Sequence, residues 1–315
     1  MKITIAEPIG FTAEKLARFK NQLEEMGHSL CTFNTRPASN EELLERVSTS
    51  EIVILSNLPI PGEVIKKCAN LKLINVAFTG TDHVDKATCK ERGIVVCNAA
   101  GYSTNAVAEL AISSAISLLR KTVEMEQNLR AGADRKGFLG GELSGKTFGI
   151  VGLGAIGERV AALALAFGCK VLAYNRSPKN IAGVTQVSLS TLLEESDIVS
   201  LHIPLVAETT GLINHEALRL MKPSAFLINT ARGNVVDIPA LASALKAGTI
   251  AGAAIDVYEK EPPLEKNHPL MDAPNAILLP HIGFATKEAI DIRSEIVIEN
   301  TLGWLNGKPK NVVAD

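Results

Sequence analysis

Three polar side chains stand where a reducible carbonyl group would need them: Arg232 in NTARGNVVD, Glu261 in DVYEKEPP and His281 in LLPHIGFAT. Each follows an apolar run short enough to be a buried strand, so all three are expected at one end of one sheet. Reducing a ketone by hydride transfer leaves negative charge on its oxygen, and an imidazole is the side chain suited to donate a proton there at neutral pH. A carboxylate on the other ring nitrogen fixes the tautomer and stabilises the imidazolium, a part that Glu261 can take. Arg232 can clamp a substrate carboxylate with its planar fork while polarising the adjacent carbonyl. A single His, Arg or Glu in a loop is ordinarily just solvated. The joint placement of the three after consecutive strands is what points to chemistry.

The hydride would come from residues 147–177, TFGIVGLGAIGERVAALALAFGCKVLAYNRS, which look built to hold a dinucleotide. An apolar strand over 148–151 runs into GLGAIG, an Ala- and Leu-rich helix over 155–167 stops at Gly168, and a second apolar strand covers 171–174. Gly152 permits the sharp turn, Gly154 leaves room for a pyrophosphate against the backbone, and Gly157 lets the helix pack closely. The free amides at the helix start, around Ala155 and Ile156, then meet the phosphates. The tip of the second strand reads Asn175-Arg176-Ser177. It carries no carboxylate to repel a 2′-phosphate, and Arg176 and Ser177 offer a cationic fork and a hydroxyl donor, so NADP is favoured over NAD.

With 315 residues and 46% hydrophobic content, the chain can bury the cores of two α/β domains. Its formal charge of −2, without a basic stripe, gives nucleic acid no footprint. Five scattered cysteines without CxxC spacing read as reduced and buried, and the six histidines show no metal-ligand spacing, so no metal is expected. The start MKITIAEPIG lacks the features of a signal peptide, and no segment is long and apolar enough to span a membrane; a soluble cytoplasmic protein is expected.

Residues 1–99 alternate strand-like runs (2–6, 28–33, 51–55, 71–78, 94–97) with helical ones (12–26, 40–47, a helix opened by Pro61-Gly62, and 84–92), which predicts a small parallel-sheet domain. Ligands bind at the carboxyl ends of strands in such sheets. The loops Ser56-Asn57-Leu58-Pro59 and Thr79-Gly80-Thr81-Asp82 are therefore candidates to grip a substrate, through Asn57, Thr79 and Gly80. One long helix is expected over 102–131, with Ser103, Thr104 and Asn105 as caps; apolar nearly all round from 107 to 119, it should be buried and serve as hinge and dimer surface. Helices at 189–196, 215–221 and 239–246 then alternate with strands at 197–203, 225–230, 250–257 and 275–279. The closing helix over 285–304 has no partner left in sequence and is expected to fold back on the first domain. Residues 1–99 with 282–315 are thus read as a substrate-binding domain and residues 100–281 as the dinucleotide-binding domain.

Together, VGLGAIG, LHIPLVAETTGLIN, MKPSAFLINTARGNVVD, AAIDVYEKEPP and LLPHIGFAT make the chain resemble the D-isomer-specific 2-hydroxyacid dehydrogenase family over essentially its whole length. The resemblance implies two doubly wound parallel-sheet domains, a Rossmann nucleotide-binding domain and a smaller flavodoxin-like substrate domain, with a cleft at their hinge and a homodimer built largely through the nucleotide domains. It also implies that Arg232 binds the substrate carboxylate and keto group, that His281 is the acid/base and that Glu261 is its partner. Cofactor contacts are implied for Thr104, Asp256, the backbone around His202, Ile203 and Pro204, and that around Thr230, Ala231 and Arg232. Amides near Thr79 and Gly80 would meet the substrate carboxylate. The SNLPIP loop has no arginine for a second anion and no regulatory domain is expected after residue 315, which disfavours phosphoglycerate. Pro280 stands where formate dehydrogenases of this family carry Gln, which disfavours formate. The tip at Asn175 resembles that of NADPH-using glyoxylate and hydroxypyruvate reductases, so a small 2-oxo acid of that type is the expected substrate. The alternatives are a D-lactate dehydrogenase-like enzyme acting on pyruvate and a catalytically weak, dinucleotide-sensing scaffold.

Overall fold

Strand β1 (Lys2–Ile5) opens a series of short strands and helices: α1 (Ala13–Glu25), β2 (Ser29–Thr32), α2 (Asn40–Val47), β3 (Ile52–Leu55), α3 (Gly62–Lys67), β4 (Leu73–Val76), α4 (Lys86–Glu91) and β5 (Val95–Asn98). The computed structural model describes residues 1–261 and 263–313. These five strands pair in parallel in the order β2-β1-β3-β4-β5. Parallel pairing needs a crossover between consecutive strands, and the helices supply it. β3 (IVIL) and β4 (LINV) are buried at every position, as central strands of a parallel sheet are. Each aliphatic side chain so removed from water contributes about 1.5–3 kcal/mol. The chain reverses its direction of travel across the sheet between β1 and β3, which is the switch point of the flavodoxin-like order.

A second series follows: α5 (Thr104–Arg120), α6 (Thr122–Arg130), β6 (Thr147–Val151), α7 (Ala155–Ala166), β7 (Lys170–Tyr174), β8 (Val184–Gln186), α8 (Leu189–Glu195), β9 (Ile198–Leu201), α9 (His215–Leu220), β10 (Phe226–Asn229), α10 (Ile238–Lys246), β11 (Gly252–Ile255) and β12 (Ala276–Leu278). Its seven strands are all parallel, in the order β12-β11-β10-β9-β6-β7-β8. Counted from β6, this is the Rossmann arrangement with one strand added beyond β11. A last helix, α11 (Lys287–Leu305), closes the chain.

The chain divides into two compact units, Met1–Ser103 together with the stretch from Ala285 onward, and Thr104–Phe284. Within the first unit, buried polar groups seat α11 on the sheet. The Asn75 amide of β4 donates to Val297 O (2.8 Å) and Thr301 Oγ1 (2.9 Å), and Asn300 Nδ2 donates to Asn98 O (2.8 Å). Within the second unit, α5 buries Ala108, Ala111, Ala115 and Leu118 in one core with Phe148, Val160 and Ile228.

Several sequence expectations are corrected. The helix expected over 102–131 is two helices, interrupted at Lys121 with φ 48. The carbonyls at the end of α5 are met by the following chain, since Lys121 N donates to Leu118 O (3.3 Å) and Gly141 N to Leu119 O (3.0 Å), and no further turn is needed to satisfy them. α6 buries none of its residues, so the burial expected of the long helix stops at α5. Strand β8 was not anticipated: VTQ is three residues long and carries no alternation. The run 197–203 is strand only over Ile198–Leu201, which leaves His202, Ile203 and Pro204 in the loop beyond β9.

All five cysteines are free thiols, and burial pushes those of Cys89 and Cys97 up to about 11. Among the described residues no helix is long and apolar enough to cross a membrane, and no three His, Cys, Asp or Glu residues gather as potential metal ligands.

Candidate active site

Where β6 ends, Gly152 turns the chain at φ +100, a conformation open to glycine without strain. A β-carbon there would lie 2.6 Å from His202 O, so the loop after β9 presses directly on the turn. At Gly157 a β-carbon would lie 1.9 Å from Gly152 O, because the first turn of α7 sits on the same backbone. Gly154 differs from both. The space beside it is open, and it precedes α7 without any side-chain cap, so the amides around Ala155 and Ile156 begin the helix uncapped. The Asn175 amide braces the tip of β7 against this turn: Oδ1 accepts from Leu153 N (3.0 Å) and Nδ2 donates to Ser177 O (2.8 Å). Arg176 and Ser177 are exposed.

Two buried polar atoms at the neighbouring strand ends, Thr230 Oγ1 and His202 Nδ1, have no hydrogen-bond partner among the described residues. The other nitrogen of His202 meets Ser200 Oγ at 2.9 Å, and burial pushes this imidazole down to about 3, so it is neutral at physiological pH. An open glycine cradle, an uncapped helix start and unsatisfied polar atoms beside it fit a bound dinucleotide. Thr104, half-buried, is the first residue of α5 in the same unit.

Past β10, Asn229 shapes the loop that carries Arg232. Its Oδ1 accepts from Ala231 N (3.0 Å), and its Nδ2 donates to Arg232 O (2.9 Å). Arg232 Nη1 donates to Ala231 O (2.7 Å). A β-carbon on Gly233 would lie 1.9 Å from the carbonyl carbon of Tyr258, so this loop packs against the segment that leads from β11 to Glu261.

Asp256 directly follows β11, is buried, and accepts from Ile282 N (2.7 Å) and Gly283 N (2.8 Å). Burial raises its carboxyl above the usual range, and those two N–H groups and His281 oppose the rise. Charge-assisted hydrogen bonds of this kind contribute about 1.5–3 kcal/mol each. They hold the residues immediately after His281, which itself adopts φ 56, a left-handed conformation uncommon for a side-chain-bearing residue. The imidazole so presented places Nδ1 2.7 Å from Glu261 Oε2 and stands edge to face against Phe284, with ring centroids 5.7 Å apart. The His281 side chain is 14% exposed and that of Glu261 49%, an arrangement in which a carboxylate reaches in from solvent to a sheltered ring.

The structure thus joins Glu261 to His281 and puts both, with Arg232, in loops at the carboxyl ends of β10, β11 and β12. Asn57, Thr79 and Gly80 lie in the other unit, beyond β3 and β4; Thr79 O accepts from Asn98 Nδ2 (2.7 Å). Two residues of that unit escaped sequence reasoning. Glu7, just past β1 and 3% exposed, accepts from Ser56 N (2.8 Å) and Leu58 N (3.0 Å) through Oε1. Arg36, from the loop after β2, donates through Nη1 to Asn57 Oδ1 (3.0 Å) and through Nη2 to Asn57 O (3.2 Å). The SNLPIP loop has no arginine of its own, but one reaches it from elsewhere in the fold, so the case against a second anion cannot be made from that loop alone. A carboxylate directly after the apolar ITIA was a usable signal for Glu7. Nothing local signalled Arg36.

The chain matches the description "D-isomer specific 2-hydroxyacid dehydrogenase, NAD binding domain" over residues 112–283. It belongs to the D-isomer-specific 2-hydroxyacid dehydrogenase family, and is an NAD(P)-dependent oxidoreductase acting on CH–OH donors. It is 42% identical over 282 residues to a glycerate dehydrogenase of Methylorubrum extorquens, covering 87% of this chain and 88% of that protein. It is 43% identical over 283 residues to a glyoxylate reductase of Thermofilum pendens, covering 86% and 83%. Among solved structures, an acyclic imino acid reductase in complex with NADPH and D-Arg superposes with a TM-score of 0.92 at 35% identity, over 100% of both chains.

Proposed function

We propose that this chain reduces a small 2-oxo acid of the glyoxylate or hydroxypyruvate type to the D-2-hydroxy acid, with NADPH preferred over NADH. The observation that carries the reading is the 2.7 Å contact between His281 Nδ1 and Glu261 Oε2, in loops at the same end of the sheet as Arg232. When bound, the nicotinamide coenzyme supplies the hydride. The turn from Gly152 to Gly157 would hold its pyrophosphate, Arg176 and Ser177 its adenosine ribose, and Thr104, Asp256, Thr230, Ala231 and the backbone from His202 to Pro204 its nicotinamide end. Arg232 clamps the substrate carboxylate and polarises the keto oxygen. Glu261 accepts from Nδ1–H, which fixes the tautomer and leaves Nε2 to deliver its proton to the keto oxygen as charge develops there. Asn57, Thr79 and Gly80 are assigned to the substrate, on the ground that they follow strands of the smaller unit's parallel sheet.

A panel of glyoxylate, hydroxypyruvate, pyruvate and 2-oxoisocaproate, each with NADPH and NADH, tests the reading. Turnover of the first two with NADPH is expected. A clear preference for pyruvate would point to a D-lactate dehydrogenase, and no turnover at all to a scaffold.

The coenzyme preference has its own test. Asn175→Asp keeps the acceptor that Leu153 N requires but adds a carboxylate beside a 2′-phosphate, so the ratio of kcat/KM for NADPH over NADH should fall about tenfold. A wild type already faster with NADH would overturn the preference. The chain is further proposed to form a homodimer through its larger unit. α6 buries no residue, and Val123, Leu129 and Leu139 are 47%, 73% and 83% exposed. Sedimentation should return twice the 33.5 kDa chain mass, and a monomer would refute the assembly.

A further inference from the structure

Building on the 2-oxo acid reductase reading above, in which His281 delivers the proton, we infer that His268 and Glu259 are positioning residues that hold the Glu261 carboxylate on His281. All four residues belong to the larger unit, Thr104–Phe284. Glu261 reaches His281 with 49% of its side chain exposed, and a loop carboxylate loses conformational freedom by staying there. The stiffness of the loop that carries it therefore bears on the reaction.

That loop is fixed first at Tyr258. Its ring is buried, its hydroxyl donates to Ile255 O (3.1 Å), and its carbonyl carbon lies where a side chain on Gly233, in the Arg232 loop, would have to go. His268 braces the same residue from further along the chain. The two rings stand edge to face with centroids 5.7 Å apart, and Leu270 N donates to His268 Nδ1 (3.4 Å). A ring nitrogen that accepts carries no proton, so the proton of this imidazole sits on Nε2. Nε2 is buried and lies 3.2 Å from Glu259 Oε1. The contact draws Glu259, two residues before Glu261, toward a ring whose side chain is 8% exposed. Leu264 and Leu270, on either side of His268, pack against the core that holds Tyr258, so the brace stands on a fixed part of the unit. Two histidine–glutamate pairs thus share one loop: His281 with Glu261 serves the proton transfer, and His268 with Glu259 sets where the loop stands.

Glu259→Ala removes a carboxylate that is 42% exposed, so the fold should survive, while kcat for hydroxypyruvate and glyoxylate should fall about tenfold with KM and the Kd for NADPH unchanged. His268→Phe keeps a ring against Tyr258 but has no N–H and should lose kcat to the same extent. His268→Gln, whose amide restores a donor, should recover most of it. Glu261→Ala should lower kcat by itself, and adding Glu259→Ala should lower it no further, because both act through one carboxylate. Full kcat in Glu259→Ala, losses that multiply in the double variant, or a His268→Gln no better than His268→Phe would each overturn the inference while leaving the reductase reading intact. A wild type inactive on both acids, or a Glu261→Ala variant with full kcat, would overturn the functional reading instead, and the inference with it.

Discussion

His281→Ala should lower kcat for 2-oxo acid reduction by about 10² or more while leaving the Kd for NADPH unchanged. The loss follows from the proton that the carbonyl oxygen must receive: without the imidazole only water can supply it. The backbone complicates the variant, because residue 281 sits at φ 56 and alanine tolerates that conformation at a cost of roughly 1–2 kcal/mol. His281→Asn, a residue that visits the left-handed region more readily, removes the acid with less strain and should show the same kinetic loss. Steady-state rates together with a fluorescence titration of NADPH check both variants. Retention of most of kcat by either would remove His281 from the chemistry.

Arg232→Lys should reduce kcat/KM by about 10²–10³ even though it preserves the charge. An ammonium can approach one oxygen, whereas the guanidinium fork offers paired N–H donors to the carboxylate and the keto group together. The loop itself should survive the change. Asn229 and the tight contact at Gly233 shape it through backbone groups, and the guanidinium donates to the adjacent Ala231 O, a bond that an ammonium can replace. A thermal midpoint within a few degrees of wild type, alongside the kinetic loss, is the expected pair of results. Near-wild-type kcat/KM would show that a point charge suffices there.

How much of this was legible from residue order depends on how far each signal reaches along the chain. The glycine turn is written within six residues, although the contact that excludes a side chain at Gly152 comes from His202, 50 residues away, and only that at Gly157 comes from within the turn. Arg232, Glu261 and His281 were visible because each follows an apolar run that had to be a strand. The break at Lys121 was not visible, since no Gly or Pro marks it and its cause lies in Gly141, which takes the carbonyl of Leu119. β8 forms because β7 offers it a free edge, not because VTQ favours a strand by itself. The meeting of Arg36 with Asn57, 21 residues apart, is fixed by strand order rather than by any local pattern.

The seating of α11 bears on how the protein is made. Asn75 finds its hydrogen-bond partners 222 and 226 residues further along, on a helix that ends at Leu305. During translation the amino-terminal sheet therefore emerges first yet waits, with a core amide unmatched, while the whole inserted Rossmann unit is produced and can fold. Completion runs from the middle outward, and a ribosome stalled before α11 would hold a finished Rossmann unit beside a sheet, made earlier, that is still unfinished.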